Sequence, residues 1–100
     1  MLLLLPMDST NQNEARLTKV FEAKTWAQVD VDEGKIQSIK FNDAFDGFDD
    51  ISEAVVLEND FENPMMFMDY NMMPLVAHEQ RSIEDIVEAF LFRELHDLAY

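Results

Sequence analysis

Trp26-Ala-Gln-Val-Asp-Val-Asp-Glu-Gly-Lys-Ile-Gln-Ser-Ile-Lys-Phe41 is the stretch that decides the fold. Ala27, Val29 and Val31 lie on one face of an extended run, with Gln28 and Asp30 on the other. Alternation with a period of about two residues marks a strand buried on one side. Ile39 and Phe41 repeat it beyond Asp32-Glu33-Gly34-Lys35. Ile36 breaks the parity, which a bulge at Gly34 in the turn would explain. The pattern is that of a β-hairpin whose apolar face the rest of the chain packs around.

Upstream, Met1 to Met7 carries four leucines without alternation, as in a central parallel strand covered on both faces. Pro6 belongs near its end, since proline cannot donate to a ladder. Asp8 to Glu14 is a polar loop. Arg16 to Lys24 is irregular or one short turn, with Leu17, Val20 and Phe21 as apolar anchors. Downstream, Asn42 to Asp50 is a loop rich in aspartate, and Ala54-Val55-Val56-Leu57 is an interior strand. Asn63-Pro64 opens a helix over Met65 to Tyr70 that Asn71 stops. Pro74-Leu75-Val76-Ala77 is a third interior strand, with proline tolerated at its first residue. Ser82 and Asp85 start the last helix as a capping-box-like pair. Ile83, Ile86, Val87, Phe90 and Leu91 form its apolar stripe, which ends near Arg93. Phe92 points away from the stripe, either covered by the tail from Glu94 to Tyr100 or free to contact a partner. The order strand, hairpin, strand, helix, strand, helix defines a mixed sheet covered by helices, an α/β domain.

The 100 residues make one domain, and 48% hydrophobic content suffices for a core. Twenty-one acids against seven bases give a net charge of −14. Between Lys40 and Arg81 there are ten acids and no Lys or Arg. Such a surface repels phosphate backbones and anionic lipid, so neither nucleic acid nor membrane is expected as a partner. It suits a basic protein or a cation, and it also serves solubility alone. With no cysteine, thiolate catalysis, disulfides and cysteine-based metal ligation are excluded within this chain. Leu2 to Leu5 is too short for a secretory h-region, no run approaches the ~20 apolar residues of a membrane span, and a cytoplasmic location is expected.

Several stretches together resemble the NifX-like family, the accessory domains of dinitrogenase iron–molybdenum-cofactor biosynthesis. Met1 to Asp8 is similar to its opening strand and following acid. Arg16-Leu-Thr-Lys-Val-Phe-Glu22 resembles its Arg-Val-Ser-x-His-Phe-Gly segment, and Val29-Asp-Val-Asp-Glu-Gly-Lys-Ile36 its hairpin. Asn63-Pro64 onward resembles its Gly-Pro-Asn-Ala helix start, and Ser82 to Leu95 its final capped helix. The resemblance spans nearly the whole chain in short matches. It implies a ribonuclease-H-like mixed five-stranded sheet and a non-catalytic domain that binds or carries a metallocluster. Val20-Phe21-Glu22 lacks the family's histidine, and Glu58-Asn59 replaces its Gly-His. Most of the first crossover helix is missing between Phe41 and Glu53.

Ligands in open α/β sheets sit beyond the carboxyl ends of the strands. Those ends here present Asp8-Ser9-Thr10, Glu58-Asn59-Asp60 and His78-Glu79. Asp8, Ser9, Asn59, His78 and Glu79 are therefore the candidate binding residues for a metal ion or metal cluster, against the plain alternative of solvated acids in loops. Met65, Met66, Met68, Met72 and Met73 fall within nine residues. On a continuous helix Met65, Met68 and Met72 share a face, a candidate soft-metal set. Adaptable core packing and a protein interface are the other readings of the same methionines. Asn42, Asp46, Gly47 and Glu53 partly mimic a calcium loop, but Ala44 and Asp49 stand at positions that spoil it. His96 reads as solvent-exposed in the last helix or the tail. No nucleophile–base triad, phosphate loop or zinc-type histidine pair is present, so no enzymatic activity is expected. The functions that remain are, in order, a metallocluster-binding accessory domain, an acidic protein-interaction module using the methionine-rich helix and Phe92, with a protein partner or as a homodimer, and, last, an acid-dependent hydrolase.

Overall fold

The computed structural model describes residues 1–98. Ala99 and Tyr100, the end of the tail considered above as a cover for Phe92, lie outside the described residues. The strands are β1 (Leu2–Met7), β2 (Thr25–Asp32), β3 (Lys35–Asn42), β4 (Ala54–Leu57), β5 (Met73–Val76) and β6 (His96–Asp97); the helices are α1 (Met65–Met68) and α2 (Ile83–Leu91). They form one mixed α/β sheet in the order β3-β2-β1-β4-β5-β6. β1 pairs antiparallel with β2 and parallel with β4; β4 and β5 are parallel, and β6 returns antiparallel along β5.

β1 is the centre, and its leucines explain why. Leu3, Leu5 and Met7 enter the core under α2, while Leu4 enters the core on the opposite face. A strand covered on both sides needs no alternation, and this one has none. Pro6 sits where β1 has already parted from β4, so its missing N–H interrupts no bond on that side. Leu17 then bridges Met7 and Arg16 bridges Ser82, tying the segment after β1 to the start of α2.

The hairpin differs from expectation in one detail. Glu33 and Gly34 both have positive φ, 53° and 77°, and Asp32 pairs directly with Lys35. That is a two-residue turn of the type that matches strand twist, with no bulge in it. The extra residue is Gln37: Asp30 pairs with Ser38 but Val31 pairs with Ile36. The bulge still returns Ile36 to the apolar face, where it packs with Ile39 and Phe41.

Other expectations change as well. The sheet has six strands rather than five, because the tail after α2 adds β6. Arg93 adopts φ 58°, and Glu94 N–H donates to Ala89 O at 2.7 Å, so the chain reverses abruptly. The first helix is one turn, not two. Asn63 Oδ1 accepts from Met65 N–H at 2.9 Å, Asn71 takes φ 62°, and Met72 N–H donates to Phe67 O at 3.1 Å. Asn71 thus stops the helix as expected, but its left-handed turn sends Met72 inward onto Phe67. Phe21 is not an anchor; it is 83% exposed in the middle of the single 3-10 turn Val20–Glu22. β5 begins one residue early, at Met73, which makes Pro74 its second residue.

α1 reaches the second face through Phe67, and the chain between β3 and β4 adds no helix beside it. The loop from Asn42 to Glu53 takes that place. Phe45 packs on Trp26 at 5.8 Å and on Phe67 at 5.3 Å between ring centroids. Gln28, buried on the same face, donates from Nε2 to Asp50 O and Ser52 Oγ, both at 2.9 Å. Asn42 holds the loop's shape, accepting from Ala44 N–H and donating to Gly47 O. A Cβ on Gly47 would collide with that Asn42 side chain.

Candidate functional site

The carboxyl ends of β1, β4 and β5 open onto one edge of the domain, and a histidine pair stands there. β6 places His96 opposite Val76 in the sheet, and the chain leaving β5 brings His78 beside it. The two imidazoles meet edge to face with centroids 4.9 Å apart. His78 Nε2 lies 2.8 Å from Asp60 Oδ1 in the loop after β4. A carboxylate can only accept, so the ring donates from Nε2, and the neutral ring keeps an unprotonated Nδ1. This carboxylate–imidazole arrangement orients histidines that ligate metals. A cavity of about 430 Å³ adjoins the pair, lined by His78, Glu79, Gln80, Glu94 and His96.

Local hydrogen bonds explain how each piece is held. Asn59 Oδ1 accepts from Phe61 N–H at 2.8 Å, closing a side-chain-mediated turn around Asp60. Arg81 donates to the carbonyls of Ala77, His78 and Gln80, fixing the loop between β5 and α2 that carries His78. Ser82 Oγ accepts from Asp85 N–H at 3.1 Å and starts α2 immediately after.

The residues singled out from sequence are distributed as follows. His78 and Glu79 line the cavity. Asn59 shapes the turn that presents Asp60. Asp8 Oδ1 accepts from Arg16 N–H and Ser9 Oγ from Asn11 N–H, so both serve the loop after β1. Met65 and Met68 are on the surface, 47% and 41% exposed, whereas Met72 is 5% exposed in the core with Trp26 and Phe67. The expected shared face for these methionines needed a helix continuing to Met72, and the Asn71 turn removes it. Among the described residues no set of three or more His, Asp or Glu side chains is arranged to enclose a metal ion. His96 was missed as a site residue. Its ring reaches His78 only through the reversal at Arg93, and nothing local in Glu94 to Leu98 signals that.

Two other groups carry shifted ionisation. Glu62 accepts from Val20 N–H through both oxygens, yet burial outweighs that bond and raises its pKa. Tyr70 donates to Asp46 Oδ2 at 3.2 Å, which with the aspartate's charge raises the phenol above its usual range. No helix among the described residues is long and apolar enough to cross a membrane.

Fold and site together define a small mixed-sheet α/β domain with a histidine pair at its strand ends. The solved structures that share this architecture agree on the fold. The crystal structure of a protein described as a "putative dinitrogenase" from Methanocaldococcus jannaschii superimposes with a TM-score of 0.73 at 15% identity, covering 99% of this chain and 95% of that one. The NMR structure of that same protein gives 0.72 at 14% identity over 100% and 94%. A further crystal structure gives 0.72 at 12% identity over 97% and 96%. No protein-family model and no curated protein matches the sequence. The chain therefore shares the fold of these structures, a likeness of shape and not of sequence.

Proposed function

We infer that this protein is a non-catalytic accessory domain of NifX-like type that binds a metallocluster or an already-ligated metal as cargo. The observation that supports this most is the pairing of His78 with His96 beside an open cavity at the carboxyl ends of β4 and β5. Two imidazoles, one oriented by Asp60, supply only part of a coordination sphere. A bare cation would need more protein ligands than gather here among the described residues. A cluster brings its own inorganic ligands and needs only one or two protein donors at its edge. Glu79 and Glu94 favour cationic character or hydrogen-bond donors on the bound species. The dinitrogenase-related fold is consistent with such cargo, and the sequence carries no recognisable nucleophile–base constellation for chemistry of its own.

The test is purification under strict anaerobiosis with iron, molybdenum and sulfide supplied, followed by metal analysis and visible absorbance. The expected product is coloured, and its metal content is lost in both His78→Ala and His96→Ala. A colourless, metal-free wild-type protein overturns the assignment.

A further inference from the structure

α1 has one buried side chain, Phe67, and turns everything else outward. Met65, Met66 and Met68 are each more than two-fifths exposed, and Tyr70 continues their surface. On the neighbouring loop Ile51 is also exposed; it shares a narrow cleft with Tyr70, Asp46 and Asp50. Unbranched thioethers on a rigid base make an adaptable apolar surface, the kind that accepts a helical face. The scaffold beneath is firm: Phe67, Trp26 and Phe45 interlock at 5.3–5.8 Å, and Phe45 meets the Tyr70 ring edge to face at 5.3 Å.

The rim decides what occupies it. Asp46 and Asp50 border the cleft and Asp69 follows Met68, all exposed. The whole span from Asn42 to Gln80 contains no Lys or Arg. Among the described residues, the ion pairs are Met1 N with Asp30 and His78 with Asp60, so these three aspartates have no cationic partner there. A second copy of this chain is a poor occupant, because a twofold contact would set the same acidic rim against itself between bodies of −14 each. A basic amphipathic helix supplies both an apolar stripe for the methionines and lysines or arginines for the rim.

We propose that the methionine face of α1 and the adjoining loop form a docking surface for a basic amphipathic helix of another protein. It lies on one face of the sheet and does not use the histidine pair, so it stands or falls separately from the cargo assignment.

The test uses the full chain and two fluorescent peptides of about 14 residues, long enough for about 21 Å of helix. One carries leucines at helical spacing with lysines on the opposite face; the other has glutamate in place of lysine. The lysine peptide is expected to bind and become helical, with affinity falling steeply between ~0.05 M and ~0.5 M salt, and the glutamate peptide is not. Met65→Ser with Met68→Ser should weaken binding about tenfold or more, as should Asp50→Asn with Asp69→Asn. These surface changes leave the core intact, and the second pair keeps the test open should the first disturb folding. His78→Ala and Phe92→Ser should leave binding unchanged. Equal binding of both peptides, or lysine-peptide binding indifferent to both double variants, overturns the proposal. So does sedimentation as a dimer that the methionine substitutions dissociate, which would make a second copy the occupant.

Discussion

His78 and His96 meet edge to face at 4.9 Å although one leaves a core strand and the other comes from the tail. The contact exists because β6 folds back along β5 after the turn at Arg93. Asp60 holds the ring of His78 from the other side at 2.8 Å. If the pair ligates cargo, Asp60 acts by orientation. Asp60→Asn should then lower loading about 10–100-fold, while His78→Ala removes it. Metal content and absorbance after anaerobic reconstitution distinguish the two; equal loading in Asp60→Asn and wild type would show that the aspartate orients nothing.

Phe45 stands in for a crossover helix. It is half-buried and touches Trp26, Phe67 and Tyr70. Phe45→Ala should cost about 2–3 kcal/mol, less than a fully buried phenylalanine. The urea midpoint should fall and Trp26 emission should shift to the red in the native state as water reaches the indole. An unchanged emission maximum would mean that the loop does not shield the second face.

Glu33 occupies a left-handed position ahead of Gly34. A side chain there is strained unless it is asparagine or aspartate, and Asn-Gly is the favoured pair for this turn. Glu33→Asn should stabilise the protein by about 1 kcal/mol and raise the urea midpoint with an unchanged slope. A lower midpoint would contradict the turn geometry.

Glu62 gives a pH signature. Its pKa is raised mainly by burial, so the folded state binds the proton more tightly than the unfolded chain does. Its contribution to stability is therefore greatest below the unfolded pKa and falls as pH rises through the higher folded value. A glutamine side chain in its place would keep an acceptor for Val20 N–H without the buried charge. Glu62→Gln should be more stable than wild type at pH ~7, and the difference should shrink as pH falls through the raised folded value, levelling off below the unfolded pKa of about 4.3. A difference constant across that range would remove burial as the cause.

Much of the architecture was legible because it is written in local patterns. The double-sided leucine run located β1, the alternation located the hairpin, and Ser82 with Asp85 located the start of α2. Asn71 was legible as a stop, but not the direction in which its turn sends the chain, so Met72 was grouped with Met65 and Met68 when it belongs to the core. The bulge was legible from Ile36, but its position at Gln37 depends on cross-strand register. Of the candidate site, His78 and Glu79 were found from their place at a strand end.

By itself the sequence determined the order of the main elements, the two-faced burial of β1 and the acidic surface, because each follows from neighbouring side chains competing for water or core. Only the tertiary structure decided that His96 stands against His78, that the 42–53 loop roofs the second face, and that Met65 and Met68 part company with Met72. Those outcomes depend on left-handed turns at Asn71 and Arg93 and on pairing between segments far apart in the chain. Backbone reversals of that kind are fixed by the packing on either side of them, and no local run of residues encodes where they lead.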